Sequence, residues 1–355
     1  MSIDPEALID PETVVSGSLL SRRYPVYAVG LSNAPLAASM LSVPAFMDTP
    51  LRHVFLMNPM WSLGPGGFSQ RVIAAVNAAV TAFPHHAYVL LVNDPSDFAV
   101  RDQLHPSITL YACGEHALAD PDKFGQADIR PATRIGWPRW RKPVGQSTTA
   151  AFDAVYIAGH QPYKRIELAS KIASLCLISI GITGETVDRM RAVQPGLFCP
   201  NIQDGAYRWL GVEDVAQHLR DAHCGLILSE REGQNRATIE YLLSGLPVVT
   251  TMNSGGRDRY LTPANSVYVE ADADAVAEAV AYLRNAAPDR QQIAAAARAA
   301  VEGDFARLCH IVDRTLARFG LPSADIVKGE VPHHGFSRLV GLADLIDQRD
   351  RLFLA

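Results

Sequence analysis

The stretch Ser229-Glu230-Arg231-Glu232-Gly233-Gln234-Asn235-Arg236-Ala237-Thr238-Ile239-Glu240-Tyr241-Leu242-Leu243-Ser244-Gly245-Leu246-Pro247-Val248-Val249-Thr250-Thr251 decides the reading of this chain. It follows an apolar run, Gly225-Leu226-Ile227-Leu228, that reads as a strand. Asn235 can cap a helix start through its side-chain oxygen. Gly245 suits the left-handed residue just past a helix end, and Pro247 blocks continuation. The run Val248-Val249-Thr250 then reads as a buried strand. The order is strand, loop, helix, strand, with Glu232 in the loop and Glu240 on the first helical turns. In an open parallel sheet, ligands bind outside the carboxyl ends of the strands, beside helix N-termini. Both carboxylates are therefore expected near that crevice.

Working outward, apolar runs alternate with helical patterns, the signature of an α/β protein with parallel sheets. Strands are expected at Val26–Leu31, Val54–Met57, Tyr88–Val92 and Ile108–Ala112, with a helix between the second and third. In that helix, Gly66 to Phe83, the residues Val72, Ile73, Val76, Val80 and Phe83 recur at helical spacing. From Arg130 to Ser147 the chain is rich in Pro, Gly and basic residues and reads as an interdomain segment. The pattern restarts with Val155-Tyr156-Ile157-Ala158, a helix from Lys164 to about Leu175, and a strand Leu177–Gly181. From Ser337 to Phe353 an amphipathic helix places Leu339, Leu342, Ile346 and Phe353 on one face.

A length of 355 residues favours two domains, and 48% hydrophobic against 19% charged residues allows large cores. A formal net charge of -5 with no basic stripe argues against a nucleic-acid binder. No run reaches the ~18 apolar residues of a membrane span, and the acidic start, Met1 to Thr13, lacks the apolar segment of a signal peptide. The cysteines, Cys113, Cys176, Cys199, Cys224 and Cys309, never form Cys-x-x-Cys. They read as free thiols in a reducing cytoplasm rather than as a zinc site.

The decisive stretch resembles the Glu-x7-Glu motif of retaining glycosyltransferases with the GT-B fold, family 4 in particular. The match continues through Ser244-Gly245-Leu246-Pro247-Val248-Val249, Gly255-Gly256, Asn265 through Glu270, and the Ala-rich helix from Asp272 to Leu283. It spans roughly the C-terminal half. The resemblance implies two Rossmann-like domains facing each other across a cleft, with a C-terminal helix crossing back to the first. The expected division is an acceptor domain at 1–147, a nucleotide-sugar donor domain at 148–330 and a crossover helix at 331–355. The implied activity is transfer of a sugar from a nucleoside diphosphate donor with retention of configuration. Front-face substitution is the implied mechanism, with no covalent nucleophile.

By the same resemblance, Glu240 matches the Glu that binds the ribose hydroxyls and Glu232 the Glu that faces the transferred sugar. A carboxylate suits both roles because it accepts hydroxyl hydrogen bonds with charge assistance. An isolated pair of this kind would read as two surface carboxylates favoured by a helix dipole. The surrounding pattern decides for the site. The family's basic pair after the first strand of the donor domain is Arg, four residues, then Lys. Here Lys164 keeps the Lys, while Gly159 stands at the Arg position. Arg236, His160 and Arg165, in that order, are the replacements for the missing guanidinium, with a solvated helix residue as the bland reading of Arg165. Gly233 would allow close backbone approach. Gln234 and Asn235 could read sugar hydroxyls, or Asn235 could simply cap. Gly64-Pro65-Gly66-Gly67 resembles the family's glycine loop facing the donor phosphate, so Gly66 and Gly67 join the donor candidates; a turn with a cap is the alternative.

The remaining ligating residues add no chemistry. His85, His86, His105 and His116 are more naturally structural than acceptor-binding, and His333-His334 reads as a loop. Asp120-Pro121-Asp122 and Asp272-Ala273-Asp274 mimic a metal-binding pair, but the second begins a helix, where Asp is expected. No metal and no cofactor are assigned beyond the nucleotide-sugar substrate. The acceptor is open, glycans and lipid-linked sugars among the candidates, and the setting is cytoplasmic with a peripheral place at the inner membrane face left open. The rival from another class is a non-catalytic nucleotide-sugar binding or scaffolding protein, motivated by Gly159 and a short N-terminal half. A nicotinamide dehydrogenase is a distant third, because the glycine fingerprint is incomplete.

Overall fold

The computed structural model describes residues 14–31, 40–59, 67–92, 102–112, 150–232, 235–253, 256–326 and 339–354. They form two compact units, one from residues 1–136 and 301–355, the other from 137–300.

The first unit is built on one six-stranded sheet. Strands β1 (Val14–Leu19), β2 (Val26–Leu31), β3 (Val54–Pro59), β4 (Ala87–Val92) and β5 (Thr109–Ala112) lie in sequence order. β2 to β5 pair in parallel, whereas β1 pairs antiparallel with β2. Successive side chains point to opposite faces of a strand, and here both faces are apolar. Tyr27, Val29, Phe55, Met57, Tyr88 and Leu90 face Val72, Ile73, Val76 and Val80 of the helix Gly67–Ala82. Val26, Ala28, Val54, Leu56 and Val89 face Val312, Leu316 and Ala324. Sheets covered on both sides read as continuous apolar runs, which is why β2 to β4 are legible in the sequence.

That second face moves a domain boundary. Contact assigns residues from 301 onward to the first unit, where the sequence reading placed 301–330 in the donor domain. Val312, Leu316 and Ala324 supply the reason, since they bury the first sheet's otherwise open face. The tail also differs in detail. Leu339 does not begin a helix; it lies in strand β14 (Leu339–Gly341), which pairs antiparallel with β1, Ser16 opposite Leu339. The helix runs from Leu342 to Phe353 and buries Leu342 and Leu345 in the first unit's core, with Ile346 and Phe353 packed against it. This return of the C-terminus to the first unit is the one expected.

The second unit carries β6 (Phe152–Ile157), β7 (Leu175–Ile178), β8 (Leu197–Phe198), a small hairpin of β9 (Ile202–Gln203) and β10 (Ala206–Tyr207), then β11 (Ala222–Ile227), β12 (Val248–Thr251) and β13 (Ser266–Val269). The main sheet has the order β13-β12-β11-β6-β7-β8, and every pairing is parallel. Renumbered within the unit, this is the 3-2-1-4-5-6 order of the doubly wound nucleotide-binding fold. The chain reverses its winding between β6 and β11, so the switch point lies at their carboxyl ends.

Two expectations on this sheet need correction. The strand expected at Leu177–Gly181 is Leu175–Ile178. The helix expected from Lys164 to Leu175 is absent; two short 3-10 turns, Pro162–Lys164 and Ile166–Ala169, stand there instead. Arg165 between them is left-handed at φ 50°, which no continuing helix allows. The Tyr156 hydroxyl donates to the Lys164 carbonyl, a group a helix would have needed for itself. Elsewhere the punctuation holds. Gly245 is left-handed at φ 76°, and Asp272 caps the helix Ala273–Ala286 through Asp274 and Ala275 N–H. Among the described residues no helix is long and apolar enough to cross a membrane. Cys176, Cys199 and Cys224 are buried and Cys309 is half-buried, all with free thiols.

Candidate functional site at the switch point of the second sheet

The loops leaving β6 and β11 meet over the switch point. The β6 loop brings Lys164 and the β11 loop brings Ser229 and Glu232. The Glu230 N–H donates to the Tyr163 carbonyl at 2.9 Å and joins the two loops. Lys164 Nζ donates to Glu232 Oε1, and both side chains are largely covered. Glu232 Oε2 accepts from the Ser229 hydroxyl at 2.6 Å and from Asn235 Nδ2 at 2.7 Å. The Glu232 N–H donates to Asn253 Oδ1 at 2.9 Å, which ties in the loop after β12. A carboxylate offers about four lone-pair sites, and among the described residues Lys164, Ser229 and Asn235 occupy three of them.

Of the two readings the sequence left for Asn235, the cap is present, and the side chain has a second partner in Glu232. Its Oδ1 accepts from the Thr238 N–H at 3.2 Å and caps the helix Arg236–Leu243, while its Nδ2 holds Glu232. It therefore reaches the site through Glu232. Arg236 is exposed at the first helical position, where the orphan N–H groups favour anions. Glu240, on the same helix, is only 8% exposed, which removes the surface-carboxylate reading. The next residue, Tyr241, is fully buried. Its Oη accepts from the Ile157 N–H at 2.6 Å, and its ring lies where a Cβ on Gly225 would stand, at 2.3 Å. This packing clamps the Glu240 helix to the ends of β6 and β11. Burial pushes the Tyr241 phenol well above its ordinary pKa, so the hydroxyl stays neutral.

The candidates for the missing guanidinium separate. Arg165 is not helical and is half-buried: its Nε donates to the Leu228 carbonyl at 2.7 Å and its Nη2 to Thr251 Oγ1 at 2.8 Å. It is a pin between β11 and β12. His160 is exposed beside Gly159. Gly159 itself is not a positive-φ glycine. A Cβ on it would meet the Gln161 carboxamide at 2.2 Å, the movable end of a flexible side chain. Gly233, Gln234 and Gly66 lie outside the described residues, and Gly67 opens the helix Gly67–Ala82 in the first unit.

The sequence reading missed Arg257. Its side chain is 1% exposed, and it bonds Ser229, Thr250, Thr251 and Asp258. An arginine is almost never buried unless paired, but nothing in Gly255-Gly256-Arg257-Asp258 announces the burial. Ser229 and Asn253 were equally silent as loop polar residues.

In the first unit, His86 is a structural residue. Its Nε2 bonds the Met47 carbonyl at 2.8 Å and its Nδ1 accepts from the His53 N–H at 3.1 Å. His85 Nε2 bonds the Thr49 carbonyl at 2.9 Å, and His105 Nδ1 accepts from the Ser107 N–H at 3.2 Å. His116, His333, His334 and the Asp120–Asp122 pair lie outside the described residues. Among the described residues no group of three or more His, Cys, Asp or Glu is arranged to hold a metal.

Three solved structures are similar in outline. HepE of Anabaena in complex with UDP is 14% identical, with 75% of this chain and 72% of that chain covered at a TM-score of 0.45. Sucrose-phosphate synthase from Thermosynechococcus elongatus is 15% identical, covering 84% and 74% at 0.49. A glycosyltransferase from Rickettsia africae is 12% identical, covering 82% and 76% at 0.48. No curated protein sequence matches the chain. Residues 154–285, the segment that holds most of β6, all of β11, and Lys164, Glu232 and Glu240, are similar to the family of glycosyl transferases group 1.

Proposed function

We propose that this protein is a retaining glycosyltransferase that moves a sugar from a nucleoside diphosphate donor to an acceptor hydroxyl. The observation that carries the reading is the pairing of Lys164 with Glu232 at the β6–β11 switch point, where doubly wound sheets bind nucleotides. The matching family segment encloses it. In this reading Lys164 faces the diphosphate once Glu232 releases it, and Arg236 with the helix N-terminus shares the charge. Glu240 accepts the ribose hydroxyls, and the remaining lone pair of Glu232 accepts one sugar hydroxyl. His160, Gly233, Gln234 and Asn235 are the remaining donor-binding candidates of this reading. The acceptor oxygen bonds to the anomeric carbon as the carbon–phosphate oxygen bond breaks on the same face. The acceptor proton passes to the departing phosphate. Stabilising charge on the leaving group is the largest service the protein can supply to such a step. A cytoplasmic setting belongs to the same proposal, supported by the buried free thiols.

The test is turnover. The purified protein is incubated with UDP- and GDP-sugars and a mixture of glycan acceptors, and released nucleotide is measured. Release that disappears in Glu232→Gln supports the reading, and no release from any donor contradicts it. One observation favours a second reading, a donor-binding protein without transfer: glycine stands at position 159 where the family carries a cation. Nucleotide binding without release on every donor and acceptor would select it.

A further inference from the structure

We propose that Arg257 is a positioning residue for Glu232 and acts through the Ser229 hydroxyl; this rests on the donor-site reading above. Arg257 Nη1 donates to the Ser229 carbonyl and, at 3.1 Å, to the Ser229 hydroxyl oxygen. Its Nη2 donates to Thr250 Oγ1 at 2.9 Å and to the Thr251 carbonyl, and its Nε donates to Asp258 Oδ1 at 2.7 Å. The guanidinium thus spans the carboxyl ends of β11 and β12.

The direction of the hydrogen bonds is what gives it a role beyond packing. A guanidinium can only donate, and a serine hydroxyl has one hydrogen and two lone pairs. With Arg257 donating onto Ser229 Oγ, the hydroxyl hydrogen is left for Glu232 Oε2, 2.6 Å away. The chain runs one way, from Arg257 to Ser229 to Glu232. A serine without that donor could turn its hydrogen elsewhere and leave Oε2 to Asn235 Nδ2 alone, a single bond about which the carboxylate can pivot. Arg257 therefore holds the carboxylate's Oε2 edge, while Lys164 holds Oε1 and is the group a phosphate would draw away. A carboxylate that must release one partner during a reaction needs its other edge fixed.

The experiment uses the full chain with Ser229→Ala, Arg257→Lys and the double variant. For each it measures kcat and KM for the active UDP- or GDP-sugar, affinity for UDP or GDP, the melting temperature, and for Ser229→Ala a crystal structure. Ser229→Ala is expected to lower kcat on the order of 10–100-fold, the scale of a displaced catalytic group, with nucleotide affinity and melting temperature near wild type. Adding Arg257→Lys to Ser229→Ala is expected to lower kcat little further, because both act on one chain. Full kcat in Ser229→Ala, or losses that multiply in the double variant, would overturn the proposal. If Arg257→Lys does not fold, Ser229→Ala decides alone. If the wild type turns over no donor, the donor-site reading fails, and the crystal structure then decides this proposal separately: a displaced Glu232 carboxylate supports it, an unmoved one overturns it.

Discussion

Lys164 and Glu232 form an ion pair across the switch point of the second sheet, with side-chain exposures of 12% and 20%. A cation expected to meet a diphosphate is thus already engaged by the carboxylate expected to face the sugar. Donor binding must then exchange one anion for another at Lys164. Partial burial makes that exchange more than a surface rearrangement, because a lone charge left there is poorly solvated.

The exchange gives opposite signs for binding and chemistry. Glu232→Gln frees Lys164, so UDP or GDP is expected to bind about 3–10-fold tighter, the upper end of what an ion pair in contact with solvent contributes. Turnover is expected to fall by 100-fold or more, on the order of losing one placed polar group in a transition state. Titration calorimetry and steady-state kinetics on the same preparation check both. Weaker nucleotide binding in Glu232→Gln would show that the carboxylate does not compete for Lys164.

Glu240 should behave differently. A buried carboxylate that accepts ribose hydroxyls contributes roughly 1.5–3 kcal/mol in charge-assisted hydrogen bonds. Glu240→Ala is therefore expected to weaken UDP or GDP binding by about 10–100-fold while the fold persists. Unchanged affinity in calorimetry would remove Glu240 from the ribose site.

Much of this site was legible before the structure. The caps at Asn235 and Gly245 and the apolar runs of β2, β11 and β12 follow from local rules, and the structure keeps them. What failed depends on distant partners. No local rule predicts that Tyr156 takes the Lys164 carbonyl or that Arg165 reaches Leu228 and Thr251, so a helix was expected at 164–175. β1, with Ser16, Gly17 and Ser18 at its centre, is too polar to read as a strand, and it forms because β2 and β14 flank it. Arg257 was invisible because its burial depends on Ser229 past the end of β11, 28 residues away, as well as on the nearby end of β12.

Position 159 offers a gain-of-function test. Its backbone needs no positive φ, and the atoms nearest to a Cβ built there belong to the Gln161 carboxamide, the end of a flexible side chain. Gly159→Arg is expected to fold with a melting temperature near wild type. In an Arg236→Ala background it should recover part of a donor affinity that Arg236→Ala lowers about as much as Lys164→Ala does. Parallel melts and kinetics check this. A fully active Arg236→Ala would move the second cation to His160.

The first unit should be acid-sensitive. The His53 and His86 rings stack at 4.7 Å, and among the described residues neither His53 ring nitrogen has a hydrogen-bond partner. Burial lowers the His53 pKa to about 2 and the His86 pKa to about 4 from an ordinary 6.5. The unfolded chain therefore binds more protons than the folded one below 6.5. Stability is full above that pH and falls as pH drops toward 4, by about 2 kcal/mol for each histidine between pH 7 and 5. Thermal melts at the two pH values check the loss. His53→Phe, which sacrifices no side-chain hydrogen bond among the described residues, should melt at least as high at pH 7 and lose less on acidification. An equal acid loss in that variant would place the sensitivity elsewhere.

The most direct measurement is a crystal of the full chain soaked with UDP and GDP sugars. A diphosphate oxygen is expected in place of Glu232 at Lys164 Nζ, with the ribose hydroxyls on the Glu240 carboxylate. A nucleotide bound elsewhere in the second unit, or Lys164 still paired with Glu232 beneath a bound donor, would contradict it.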